Sequence, residues 1–376
     1  MEKNKKESFI KTISTKWWLI DNKNAINYKI VNNIIDNLCR LPKPVKKFIF
    51  LFIEHFIILT TRLLFVLSHA SLKGFVITGT EKNSGEPLRL LFIGTQEPSQ
   101  FIINLIYTEN VHIEQVYKIN IFNQKSNIEK IKGEIDAIII KCDRFYSGYL
   151  EKKGFKIIPE WVRMTLNISK PSKYFFSGLS RSAKEDIRKI KKIGYGYEIS
   201  HDKNELEFFY NQMYVPYVNW RYHATYILTN FYTMKILFEL GSKILFVKYK
   251  NDYIFGGLFI KKKDMVTAIY AGIKKGKFDH LKKGVLAASY YHLINYSKKE
   301  GARFIDLGSC RSFVNDGVFL YKLKWGAKIG KSGNENSEIF AFKKCSKNKA
   351  INSFLTNNPF IYLDKGKLIV DAIKNK

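Results

Sequence analysis

"ARFIDLGSCRSFVNDGVFLYKLKWGAK" runs from Ala302 to Lys328. Its first part, Arg303-Phe-Ile-Asp-Leu307, reads as a short buried strand that breaks at Gly308. Asp306 stands inside that apolar run, where a carboxylate costs free energy unless it is paired or has chemical work. The chain then brings Lys322 back, followed by Trp325 and Gly326.

Immediately upstream lies "LKKGVLAASYYHLINYSKKEG", Leu281–Gly301. Leu286, Tyr290, Leu293, Ile294 and Ser297 fall on one helical face, Lys298 and Lys299 complement the dipole, and Gly301 stops the helix. Ahead of it are three apolar runs, Lys243–Tyr249, Tyr253–Ile260 and Met265–Gly272, joined by short turns that demand an antiparallel meander. Further back, "SRSAKEDIRKIKKIGYGYEIS" predicts a helix with capping-box spacing from Ser182 to Glu185 and a stop at Gly194. Arg181, Lys184, Arg188, Lys189, Lys191 and Lys192 make one side of it basic, readable as a solvated face or an anion-binding one. Asp202 caps the next helix, and another spans about Asn230–Leu240.

Residues 80–170 have a mixed α/β texture, with buried-strand runs at Leu88–Gly94 and Asp136–Cys142 and a helix near Pro98–Thr108. "FIFLFIEHFIILTTRLLFVLS", Phe48–Ser68, is the most apolar run. Its length suits a bilayer span, but charged residues near its centre cost about 3 kcal/mol each, nearly cancelling the apolar gain. A helix lying in the membrane interface fits best, with a true span and a buried helix as alternatives. The resulting division is 1–79 (basic, with the apolar segment 48–68), 80–170, 171–345 and a basic tail 346–376.

The 376 residues suffice for two cores, and 46% hydrophobic content indicates a folded protein. Sixty-three bases against 33 acids give a formal charge of +30, which favours anionic partners. The four cysteines are scattered without metal-ligand spacing, so no metal is expected, and no secretory leader precedes them.

The order helices, meander, helix, strand resembles the acyltransferase fold of the GNAT superfamily, and more narrowly its Fem-type branch of peptidoglycan-bridge aminoacyltransferases. The carrying stretches are "LSRSAKEDIRKIKKIG", "YIFGGLFIKKKDMVTAIYAG", "LKKGVLAASYYHLINYSKKEGARFIDLG" and "GVFLYKLKWGAK". Arg188-Lys189 before Gly194, Asp306-x-Gly308, and Lys322 three residues before Trp325-Gly326 match the family's pattern. The family's pyrophosphate loop is matched only in part by Leu281-Lys-Lys-Gly284-Val-Leu286. The resemblance implies an α/β (α+β) fold of tandem GNAT-like domains, each a mixed, largely antiparallel sheet flanked by helices, the first degenerate, behind an apolar N-terminal helix.

It further implies N-acyl transfer from a thioester or ester donor, with acyl-CoA as donor substrate and no tightly bound cofactor. Asp306 would take the amine's proton and Lys322 would stabilise the oxyanion; a structural ion pair is the alternative for Asp306. Lys282, Lys283, Gly284 and Val285 are the expected cofactor-binding residues at a helix N-terminus, and two solvated lysines are the other reading. Arg188, Tyr270, Arg311 and Arg221 are the candidates for substrate binding. The expected partners are a small-molecule or lipid-linked amine of an envelope or saccharide precursor and an anionic membrane surface, with the protein peripheral on the inner face of the cytoplasmic membrane. The long helical arm of some bridge-forming members is absent, so tRNA is less favoured as a partner. A non-catalytic, membrane-docked binding protein of the same fold is the remaining alternative.

Overall fold

The computed structural model describes residues 63, 66–69, 71–122, 133–222, 228–330, 338–364 and 367–370. The predicted apolar helix 48–68 lies almost entirely outside them. Among the described residues no helix is long and apolar enough to cross a membrane.

Two compact units emerge. One comprises Phe50–Val162, Cys310–Leu320 and Ser332–Lys376; the other comprises Arg163–Ser309 and Tyr321–Lys331, each over its described residues. In chain order the strands are β1 (Ser71–Thr80), β2 (Pro87–Gly94), β3 (His112–Asn120), β4 (Ala137–Asp143), β5 (Lys156–Pro159), β6 (Trp161–Asn167), β7 (Gly196–Ser200), β8 (Lys243–Tyr249), β9 (Asp252–Lys262), β10 (Met265–Ile273), β11 (Phe304–Arg311), β12 (Lys328–Ile329), β13 (Glu338–Lys344), β14 (Ile361–Asp364) and β15 (Lys367–Val370). The helices used below are α1 (Gln100–Ile106), α2 (Ser147–Lys152), α3 (Arg181–Ile193), α4 (Lys203–Phe208), α5 (Phe231–Glu239), α6 (Val285–Lys299) and α7 (Gly317–Lys324).

The Phe50–Val162 unit carries an eight-stranded sheet in the order β15-β14-β5-β13-β4-β2-β1-β3. Both sheet faces are buried. Leu88, Leu90 and Phe92 pack into one apolar cluster, while Leu91 and Ile93, pointing the other way along the same strand, pack into a second. This explains why "LRLLFIG" is an unbroken apolar run rather than an alternating one. Strand β13 inserts between β4 and β5, pairing Ile339 with Cys142 and with Pro159. The C-terminal residues through β15 join the same sheet. The chain therefore returns to its first unit after leaving the second, which corrects the division that runs the second domain through 345 and treats 346–376 as a tail. A strand's sequence does not say which sheet has a vacant slot.

The Arg163–Ser309 unit carries a seven-stranded sheet, β12-β6-β11-β10-β9-β8-β7. The meander forms as expected: β8 pairs antiparallel with β9 and β9 with β10. Lys250 and Lys263 adopt positive φ in the two tight turns. Leu206, Phe209, Met213, Ile244, Phe246 and Leu258 join helix and sheet in one core, each contributing about 1.5–3 kcal/mol by its burial. Helix α3 is capped by Ser180, which accepts from Ala183 N, so the cap lies two residues before the Ser182 expected, and Gly194 ends it at φ +78°. Asp202 caps α4 through Asn204 N and Glu205 N, and Asn230 caps α5 through Thr233 N.

Each unit contains an antiparallel hairpin whose second strand also has a parallel partner reached through a crossover: β1-β2 with β4, and β9-β10 with β11. One supersecondary plan is thus used twice, in two mixed and largely antiparallel sheets.

Candidate functional site

The two copies of this plan differ where the parallel strands meet. In the first unit β2 and β4 pair over Leu90–Ile93, and Leu88, Leu90, Leu91, Phe92 and Ile93 are all buried. In the second, β10 and β11 pair over only three residues, Met265–Thr267 against Phe304–Asp306, although each strand continues well beyond. Two irregularities mark the parting. The register of β10 against β9 shifts between Ala268 and Tyr270, and Gly308 of β11 takes φ +76°. As a result five consecutive residues of β10, Thr267–Ala271, are half-buried, on both faces of a strand in the middle of the sheet.

Asp306 occupies the last rung before the parting, opposite Thr267. It is 7% exposed. Its Oδ2 accepts from Arg163 Nε at 2.8 Å and from Arg163 Nη2, and its Oδ1 accepts from Gly308 N at 2.9 Å. Lys322 is 4% exposed and donates from Nζ to the carbonyls of Gly308 and Ser309, both at 2.9 Å. Acid and base do converge, but on backbone: Gly308 has its N–H held by Asp306 and its C=O held by Lys322. This differs from the expected acid and base facing an open cleft. Both oxygens of Asp306 already serve donors, and the Lys322 ammonium is spent on carbonyls. The physical reason is the cost of burial, which a buried charge meets by finding partners.

Arg163 is the residue that the sequence reading missed. It lies 143 positions before Asp306, on β6, in "WVRMTLN". The signal was present: an arginine at a half-buried position of a strand whose alternate residues Val162, Met164 and Leu166 are fully buried.

The segment after β10 carries the expected donor-binding residues. Lys275, Gly276 and Gly284 have positive φ. Helix α6 begins after Gly284 (φ +82°) with no side-chain cap, and its first intrahelical bond is Ala288 N to Gly284 O. Lys282 and Lys283 are exposed, the Lys283 carbonyl accepts from Tyr195 Oη at 3.1 Å, and Val285 is fully buried. A Cβ on Gly284 would meet nothing within 4 Å, so the helix end is open to approach.

Tyr270 lies on the half-buried stretch of β10. Its Oη bonds Thr229 Oγ1 at 3.1 Å, its ring lies 5.3 Å from that of Tyr214, and burial pushes its phenol up to about 12, so it remains a proton donor at neutral pH. The strand's far end is pressed against the π-helical turn Phe209–Tyr214; a Cβ on Gly272 would fall 2.5 Å from Met213 C and Tyr214 N. Arg221 donates to Tyr217 Oη, and Arg188 is exposed on α3. Arg311 belongs to the other unit, where it bonds Glu160 Oε1 at 3.0 Å and stacks 3.9 Å from the Trp161 ring and 4.5 Å from that of Phe101. Its guanidinium is committed to that packing. Among the described residues no His/Cys/Asp/Glu group could hold a metal.

No family model matches the chain, and no curated protein matches it. Solved structures do. The chain is similar to the crystal structure of FemX at 14% identity, covering 71% of this chain and 83% of that one, with a TM-score of 0.38. It is similar to the C-terminal domain of a putative lysylphosphatidylglycerol synthetase from Agrobacterium fabrum at 9% identity, covering 77% and 87%, TM-score 0.35. A tandem GNAT protein from the clavulanic acid biosynthesis pathway matches at 10% identity, covering 71% and 82%, TM-score 0.32.

Proposed function

We propose that the protein is an N-acyltransferase of the Fem/GNAT type, with its donor seated in the parting between β10 and β11. The observation that carries this reading is the half-open central strand. Beyond Thr267 the edge of β10 that faces β11 has no strand partner in the ladder, while its other edge remains paired with β9. Backbone N–H and C=O groups inside a sheet must be satisfied by something, and an extended, amide-bearing arm can do so as an added strand would. The pantetheine arm of acyl-CoA has that chemistry. Its phosphates would meet the open N-terminus of α6, with Lys282 and Lys283 alongside.

A thioester held there presents its carbonyl to the N–H groups of β10, which stabilise the oxyanion. The neutral amine attacks the carbonyl carbon, the C–N bond forms, the C–S bond breaks, and the thiolate leaves with the amine's proton passing through water or the protonated Tyr270. Asp306 and Lys322 serve as positioning residues in this scheme: they fix the Gly308–Ser309 backbone so that β11 stays parted from β10. The acceptor is an amine of a saccharide or lipid-linked envelope precursor, met at the inner face of the cytoplasmic membrane. Aminoacyl-tRNA is the alternative donor.

Calorimetric titration of the full chain with acyl-CoA tests the donor, and mass spectrometry of envelope precursors from cells with and without the protein tests the acceptor. Binding weakened by K282Q/K283Q is expected. No binding of any CoA thioester, with activity lost after ribonuclease, moves the donor to tRNA; unchanged precursors refute the transferase. A second reading, a binding protein that has kept the fold without the chemistry, draws on the full engagement of Asp306 by structural donors.

A further inference from the structure

We infer that the Phe50–Val162 unit docks on an anionic lipid surface through a patch of exposed aromatics centred on Tyr146. This inference assigns a lipid contact and stands independently of the acyl-transfer reading. Tyr146 is buried, and two exposed rings flank it: Phe122, 54% exposed, at 5.6 Å, and Phe145, 70% exposed, at 5.4 Å. Tyr149 stacks edge-on to Phe122 at 5.3 Å and donates from Oη to the Phe122 carbonyl at 2.9 Å, which fixes that ring outward. The Tyr146 hydroxyl donates to Val66 O at 2.7 Å. Leu63, three residues before Val66, and Leu67, directly after it, are each 58% exposed. Two exposed rings thus flank one anchored tyrosine, and two exposed leucines lie within three residues of the carbonyl that anchors it.

The surrounding charge identifies the occupant. Arg144, Lys152 and Lys153 follow one another along the helical segment that carries Phe145, with Glu151 the acid exposed beside them. Lys153 lies 5.7 Å over the Tyr149 ring. On the adjoining sheet edge Lys73 of β1 and Lys118 of β3 are direct cross-strand partners, both exposed. Like charges set opposite each other on a ladder are destabilising, and a nearby anion relieves them. That rung is two residues from the Ser71–Asn120 pair that ends the ladder, and Asn120 Oδ1 accepts from Phe122 N at 2.8 Å, tying the rung to the patch. Outward aromatics and leucines ringed by lysine and arginine match the apolar boundary and anionic headgroups of a bilayer leaflet. A protein partner would not require a basic rim, whereas an anionic leaflet does.

The test is flotation of the full chain with vesicles of phosphatidylcholine alone and of equimolar phosphatidylcholine and phosphatidylglycerol. The expected result is binding to the second composition only, weakened by salt. F122S/F145S should lower it about tenfold or more, from the loss of two aromatic insertions. K73Q/K118Q should lower it about twenty-fivefold, at roughly fivefold per base removed. Both pairs are exposed, so thermal melts should stay near the parent's. Vesicle binding unchanged in both variants overturns the proposal. Equal binding to neutral vesicles also overturns it. So does a shift in oligomeric state without a change in flotation, which would assign the patch to a second copy of the chain.

Discussion

The Asp306–Arg163 pair offers the sharpest test of how this site is built, because neutralising the aspartate has opposite effects on stability in the two readings. A carboxylate kept buried for proton transfer without a partner is a liability to folding, so D306N would stabilise the protein. A carboxylate paired as seen here is the reverse. D306N keeps the shape and the acceptor for Gly308 N, but leaves the Arg163 guanidinium facing no charge. Removing one member of a fully buried pair costs about 3–5 kcal/mol. The side chains are 10% and 23% exposed, so water recovers part of this for the arginine and the expected loss is about 2–4 kcal/mol. R163M strands the less exposed partner and should cost about 3–5 kcal/mol. The double variant R163M/D306N removes both charges and should be far more stable than the sum of the two losses, with a coupling on the order of 3 kcal/mol. Urea denaturation of the four proteins, followed by circular dichroism, measures each term. Coupling below about 0.5 kcal/mol, or a D306N protein more stable than its parent, refutes the structural assignment of Asp306.

Other consequences follow from neighbouring residues. K322M removes two charge-assisted bonds from a buried ammonium to the Gly308 and Ser309 carbonyls and should cost about 2–4 kcal/mol, with faster amide exchange at the end of β11 as the local readout. G272A places a Cβ 2.5 Å from the Met213–Tyr214 peptide, which is backbone and cannot give; a loss of about 3 kcal/mol or more, or failure to fold, is expected in thermal melts. G284A meets no neighbour and should cost only the left-handed φ, about 1–2 kcal/mol, while weakening donor binding in calorimetry. Burial holds the His292 imidazolium form below its ordinary range against the bond to Tyr195 O, and His280 is shifted the same way by burial and by Lys277 and Lys283. The unfolded chain therefore binds these protons first, and stability should fall as pH drops below about 6.5, continuing to the lower folded values. H292Q, which keeps a donor to Tyr195 O, should flatten that acid limb in melts taken across the range.

The sequence by itself determined what depends on near neighbours. The meander strand β8 lies over the residues its apolar run predicts, and α6 starts and stops at Gly284 and Gly301, because side-chain period, turn sterics and positive φ are local properties. It also marked Asp306 as costly and Lys322 as returning toward it. Only the tertiary structure decided what those charges meet. A buried carboxylate needs a cation, but many of the chain's 63 bases satisfy that rule equally, and sequence spacing does not rank partners 143 residues apart. The same holds for the return of β13 to the first sheet, for the parting of β10 from β11, and for the ring of aromatics around Tyr146. Each is set by which surfaces close on one another in space, where the desolvation of charge and the pairing of backbone are settled by the whole fold rather than by any segment of it.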